Sequence, residues 1–354
     1  MTLIDKLENN QRLNYEDGLA LYELDLFTLG HYANVQRRQR YGNKAFFNIN
    51  RHINPTNICK DVCKFCAFSA HRKNPHPYTM THEEILAILE DSVNKRGITE
   101  VHIVSAHNPD TGLEWYLEIF SKIKKHFPSL HVKALTAAEI HFLSEQYQLS
   151  VDTIIDKMIA YGVDSMPGGG AEIFDEKIRE YICKGKVSSK EWLDIHQKWH
   201  EKGRQSNATM LFGHVEKREH RIDHMLRIRT LQDKTGGFNA FIPLVYQREN
   251  NYLQVQDFLS STEILKTYAI SRLMLDNVNH IKAYWATSTI NLALVALEYG
   301  ADDLDGTIEA EAIQSAAGAS SAKGLKLQDF LDLIDTSGFS AVERDSLYHE
   351  IKTY

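Results

Sequence analysis

The chain has 354 residues, 43% hydrophobic and 25% charged, as in an ordinary globular protein, and is long enough for one large domain with additions or two smaller ones. Lys and Arg number 40 against 47 Asp and Glu, a formal charge of −7, and no basic excess marks a nucleic-acid binder. No apolar run reaches the ~18 residues of a membrane span, and the polar first ten residues lack a signal peptide's apolar stretch, so a cytoplasmic location is expected.

Residues 1–44 read as a helical segment, with Leu19, Leu21, Leu24, Leu26, Phe27 and Leu29 recurring among polar residues and Arg37, Arg38 and Arg40 near its end. Residues 45–50 (AFFNIN) read as a strand that leads to a cysteine loop. Thr81-x-x-Glu84 is a capping box, and Ile85, Leu86, Ile88, Leu89 and Val93 follow it at helical spacing. The pattern predicts a strand at 101–104, a helix at 113–127 ended by Pro128, and a strand at 131–135. A helix at 151–160 with Gly162 after it precedes a short strand at 163–166. Residues 192–199 are helical, and 208–212 and 238–246 are strands. Ser260-x-x-Glu263 opens a helix that runs to about Met274. A strand at 281–285, a helix at 290–299 and a short strand at 303–305 complete the series.

About eight strands that alternate with helices imply an α/β fold with a parallel sheet. Eight such units suggest a (β/α)8 TIM-type barrel with an N-terminal helical extension, ligands binding on the loops after the strands. An open doubly wound sheet is the alternative. The expected divisions are an N-terminal helical segment at 1–44, the barrel at 45–320 and a C-terminal helical tail at 321–354.

Three of the four cysteines fall in Cys59-x3-Cys63-x2-Cys66. In a reducing compartment such clustering points to a metal site or redox chemistry rather than to disulfides. Three thiolates are one short of a closed four-cysteine site. In a [4Fe–4S] cluster they leave one iron open to bind a substrate directly. A zinc site completed by His52 or His71, or three structural thiols, are the alternatives. Phe65 lies between the last two cysteines and could shield a cluster from water. Cys183 is isolated and reads as a partly buried thiol.

This spacing, just after a first strand, resembles the radical S-adenosylmethionine (SAM) superfamily. The stretches 50–57 (NRHINPTN), 166–173 (MPGGGAEI), 206–216 (SNATMLFGHVE) and 236–243 (GGFNAFIP) are similar to the branch that holds the menaquinone enzymes of the futalosine pathway and the deazaflavin synthases. Residues 15–22 (YEDGLALY), 50–55 (NRHINP) and 303–307 (DLDGT) look most like the aminofutalosine synthase family. The resemblance implies a (β/α)8 barrel, a [4Fe–4S] cluster on Cys59, Cys63 and Cys66, and SAM as a co-substrate. It implies a reaction that joins SAM to an enolpyruvyl ether of 3-hydroxybenzoate and releases methionine and bicarbonate. The implied partners are that aromatic dicarboxylate and an electron donor such as flavodoxin or ferredoxin. A hydrogen-abstracting sister enzyme, such as a dehypoxanthine futalosine cyclase, and a non-catalytic zinc-binding scaffold remain alternatives. Ser105 and Ala106 stand where family members usually carry a Gly-Gly pair that meets the SAM amino group, a change that backbone contacts survive where φ is negative.

Gly168, Gly169 and Gly170 follow a strand and permit close backbone approach to a ligand, or make a flexible turn. Glu172 could accept hydrogen bonds from the SAM ribose, or could complement a helix N-terminus. Arg179 could pair with the SAM carboxylate, or be a solvated helix residue. Asn207, Thr209, His214 and Glu216 gather around a strand end and are candidates to touch SAM or substrate. Arg51, His52, His107 and Arg248 are candidates to meet the substrate's carboxylates. Trp285 and Tyr246 could wall its ring, or pack in the core.

Overall fold

The first barrel strand is interrupted. β1 (Lys44–Asn48) and β2 (Asn50–Ile53) are separated by Ile49 alone, and each belongs to a different run of the sheet. In the computed structural model, which describes residues 1–70, 75–308, 312–320 and 324–354, β2 pairs in parallel with β3 (Glu100–Ile103), and β3 with β4 (His131–Ala134). Single parallel bridges, Lys133 to Ser165 and Met166 to Ser206, carry the ring on to β5 (Ser206–Phe212). β5, β6 (Phe238–Val245) and β7 (His280–Ile281) follow in parallel. A bridge from Lys282 to Asp303 leads to β8 (Asp303–Gly306), which pairs with β1 and closes the ring. The result is the eight-position parallel barrel.

Parallel barrel strands are covered by helices outside and side chains inside, so they are almost wholly buried. All seven residues of β5 are buried, as are Phe46, Phe47, Val101, Ile103, Val132 and Ala134. Each such aliphatic or aromatic side chain contributes about 1.5–3 kcal/mol on burial. The capping box at Thr81 forms in full, with Thr81 N donating to Glu84 at 2.7 Å and Glu84 N donating to the Thr81 hydroxyl at 3.1 Å. At Ser260 only half forms, because the Glu263 carboxylate is taken by Arg218 and Arg221. Among the described residues no helix is long and apolar enough to cross a membrane.

The N-terminal extension consists of helices Leu3–Glu8, Tyr15–Leu21 and Leu26–Tyr41. The last buries Leu29 and Ala33 and packs along the helix Ser261–Met274. Three expectations need correction. The strand at 163–166 shrinks to the two bridges at Ser165 and Met166. The strand at 281–285 stops at Ile281, and Trp285 opens a short helix, Trp285–Ser288. The tail at 321–354 is not helical throughout: helix Leu327–Thr336 is followed by β9 (Ser340–Arg344), parallel to β1, and β10 (Glu350–Thr353), antiparallel to β9. This tail seals the N-terminal end of the barrel. Arg344 Nε donates to Asp303 at 2.6 Å, and Tyr348 stacks on His280 with centroids 3.7 Å apart.

Candidate functional site

At the opposite end, the loop after β2 brings Cys59, Cys63 and Cys66 to the wall of one cavity that runs down into the barrel. The loop is tied in place by its backbone: Lys60 N donates to His107 O, Lys64 N to Ile182 O, and Ala70 N to Asn57 O. His107 N points at Cys59 Sγ at 3.4 Å. Burial pushes the Cys59 and Cys63 thiols up from their ordinary value, Cys63 the further. Binding of a metal centre by thiols in that state releases their protons. Among the described residues, no three His, Cys, Asp or Glu side chains gather closely enough around one point to hold a metal ion. The three thiols instead surround a shared opening. His52 lines the cavity, and His71, the other candidate zinc ligand, lies outside the described residues. Phe65 lines the cavity too, with the Lys186 ammonium 5.8 Å from its ring centre. Cys183 is buried away from the cavity, its thiol pushed up to about 11 by burial.

Glu172 faces the cavity, but not from a helix start: the next helix begins at Glu176 with Asp175 as its cap. Its backbone is left-handed, φ 48°, a conformation that costs a non-glycine residue energy and often accompanies function. Lys186, which sequence reasoning did not single out, donates to its carboxylate at 2.7 Å. Burial raises this carboxyl, and the Lys186 charge and hydrogen bond outweigh it, leaving the group below the ordinary value.

The three glycines line the cavity, yet protein explains their missing side chains. A Cβ on Gly168 would come 2.7 Å from Asn207 O, and Gly170, at φ +87°, would press on Ala138. Asn207 and Thr209 are buried on β5 and line the cavity. Thr209 donates its hydroxyl to Gly168 O at 2.7 Å, while Asn207 Oδ1 is buried with no hydrogen-bond partner among the described residues. Such an orphan acceptor fits a ligand's N–H or O–H.

Several candidates belong elsewhere. Arg179 is buried and donates to the carbonyls of Gly170, Ala171, Ile173 and Val187, so it pins the glycine loop and does not reach the cavity. Glu216 accepts from Gly213 N at 2.6 Å, His214 N at 2.8 Å and Arg221 Nε at 2.8 Å. His214 lies 3.2 Å from that carboxylate, and neither residue lines the cavity. Arg248 donates to Val255 O and Gln256 O and lies over the Phe258 ring at 3.8 Å. Arg51 alternates with His52 on β2 and so points to the other face. Trp285 donates to Gly306 O in the core, and Tyr284 takes the cavity position beside Tyr246. His107 lines the cavity but is engaged, its Nδ1 2.8 Å from Asp61 and its ring stacked on Phe142 at 5.0 Å.

Neither Ser105 nor Ala106 has positive φ, so ordinary residues fit there. Ser105 N donates to Glu139 and Ala106 N to Thr56 O. Deeper in the lumen lie Glu100, His102, Lys133, Lys282 and Asp305, none of them named as a site candidate from sequence, although Asp305 falls in the 303–307 stretch. Their only sequence signal is polar residues inside short strands of an otherwise apolar barrel.

A family model described as "Radical SAM superfamily" matches residues 53–228, and one described as "CofH/MqnC C-terminal region" matches 235–353. The chain is 41% identical to an aminodeoxyfutalosine synthase of Thermus thermophilus, covering 99% of this chain and 96% of that one. It is 37% identical to a cyclic dehypoxanthine futalosine synthase of Streptomyces coelicolor, covering 99% and 88%. In structure it is similar to methylornithine synthase, TM-score 0.77 at 17% identity, covering 96% of each chain, a likeness of fold.

Proposed function

The chain belongs to the radical SAM superfamily, and on that premise we propose that it adds the 5′-deoxyadenosyl group of SAM to 3-[(1-carboxyvinyl)oxy]benzoate, giving 6-amino-6-deoxyfutalosine, methionine and bicarbonate. Membership brings a [4Fe–4S] cluster and SAM. Cys59, Cys63 and Cys66 would hold the cluster, and their donor set fits it: three half-buried thiols on the wall of one largely apolar cavity. The cluster, when bound and reduced by a flavodoxin- or ferredoxin-like donor, supplies the electron that breaks the C5′–S bond of SAM.

The rest of the work falls to the barrel. Glu172 would accept from the ribose hydroxyls, with Lys186 keeping it ionised. Asn207 Oδ1 would accept from a SAM donor. Ile242, Leu244, Tyr246 and Tyr284 make an apolar wall that would hold the substrate ring and exclude water from a reactive primary radical. The single observation that carries this reading is the continuous cavity, which runs from the three thiols past an apolar wall to a polar floor of two lysine–carboxylate pairs, room for an aromatic substrate with polar ends. Identity to the synthase relative supports it. Anaerobic reconstitution with iron and sulfide, then assay with SAM and the enolpyruvyl ether, tests it. SAM consumption that depends on the ether is expected; an ether left untouched by active enzyme refutes the reading.

A further inference from the structure

Below the level of the thiols, two lysines enter the lumen from opposite walls. Lys133 is on β4 and Lys282 directly follows β7, four positions away in the ring of eight. Lys133 donates to Glu100 at 2.6 Å and Lys282 to Asp305 at 2.5 Å. All four side chains line the cavity and are at most 10% exposed. An ammonium has three donors, and each carboxylate takes one. Buried ion pairs are a poor way to stabilise a barrel, because desolvation roughly cancels the attraction and apolar side chains pack at least as well. Two such pairs on a cavity wall therefore call for a polar ligand.

Two further observations point the same way. His102 stands in register with Lys133 across β3 and β4, and its Nε2 is buried with no hydrogen-bond partner among the described residues. The Lys133 ammonium is held below its usual value by burial, with Lys282 and Arg344 pushing it down against the pull of Glu100. The two ammonium groups act on one another across the lumen, and an anion between them is drawn to both, against the repulsion of Glu100 and Asp305.

We propose that Lys133, Lys282 and His102 form a carboxylate subsite at the closed end of the cavity, and that it takes the ring carboxylate of the substrate. This rests on the reading of the substrate as an aromatic dicarboxylate. The enolpyruvyl carboxylate is attached next to the reacting methylene carbon and so stays at the thiol end with SAM. The ring carboxylate lies on the far side of the arene and points to the floor, which Arg344 and Tyr348 seal.

The test compares 3-[(1-carboxyvinyl)oxy]benzoate with 2-phenoxyacrylate, the same ether without the ring carboxylate, on the reconstituted full chain. Wild type should show a KM roughly 10- to 150-fold lower for the dicarboxylate, the worth of charge-assisted hydrogen bonds. Lys133→Gln with Glu100→Gln, and separately Lys282→Gln with Asp305→Asn, remove a pair without stranding a buried charge. Each double variant should lose about tenfold or more of that discrimination by raising KM for the dicarboxylate alone. Equal KM for the two ethers in wild type overturns the subsite without any variant. Undiminished discrimination in folded double variants overturns it as well. Consumption of neither ether by wild type sinks the synthase reading, and the subsite with it.

Discussion

The Lys186 ammonium donates to the Glu172 carboxylate at 2.7 Å, and both side chains face the cavity that the three thiols share. The pair fixes the charge of Glu172. Burial works against ionisation, but Lys186 prevails, so the carboxyl stays below its ordinary value of 4.5. The carboxylate is therefore ionised across pH 5–8, and SAM affinity owed to it should be flat over that range. Glu172→Gln should weaken SAM binding by about 1.5–3 kcal/mol, roughly 10- to 150-fold, measured by calorimetry on reconstituted protein. Cluster content should change far less. Unchanged SAM affinity would return Glu172 to a loop-shaping role for its left-handed backbone.

Replacing Cys59, Cys63 or Cys66 with Ala should abolish the brown ~400 nm absorbance of a Cys-ligated iron–sulfur centre, or at least all SAM cleavage. Cys183→Ala should keep both, since that thiol is buried outside the cavity. Loss of the cluster in Cys183→Ala with retention in Cys59→Ala would reverse the ligand assignment.

Glu216 should matter for stability rather than for SAM. Burial raises its carboxyl, but the His214 and Arg221 charges and two backbone amides outweigh it, leaving the folded value below 4.5. A depressed folded value gives stability that is complete above the unfolded value and is lost as pH falls through the folded one. Glu216→Gln should thus cost roughly 1.5–3 kcal/mol at pH 7, with the gap to wild type closing as pH falls through the depressed folded value. Urea melts across that range measure it. A gap that widens in acid would contradict the assignment.

Much of the scaffold was legible because strands such as 101–104 and helices such as 113–127 carry strong apolar periodicity. The helix Ala137–Tyr147 was missed although Thr136 and Glu139 form a full capping box at its start. β9 (SAVER) and β10 (EIKT) fall in a stretch read as a helical tail, because β9 pairs with β1, about 300 residues away, and β10 then pairs with β9. Arg179 shows the limit for single side chains: it reads from sequence as a ligand contact or a solvated helix residue, and its four carbonyl partners make it neither but a clamp on the glycine loop. Lys133 and Lys282 were invisible for the opposite reason, since a lysine in a short strand looks solvent-facing until the barrel closes around it.

The fate of the adenosyl group separates the proposed reaction from its nearest rival. A hydrogen-abstracting enzyme turns the adenosyl group into free 5′-deoxyadenosine. An adding enzyme keeps the adenosyl carbons in a larger product. The cyclase relative, at 37% identity, is not far behind the synthase relative at 41%, so the overall match alone does not choose. The choice rests on the segments at 15–22, 50–55 and 303–307, which resemble the synthase family. SAM labelled with ¹³C in its ribose should therefore deliver label to a nucleoside that carries a benzoate group, read by mass spectrometry. Some free 5′-deoxyadenosine from uncoupled cleavage is compatible with this. Label found only in free 5′-deoxyadenosine, with the enolpyruvyl ether present and intact, would remove the synthase assignment and leave membership of the superfamily standing.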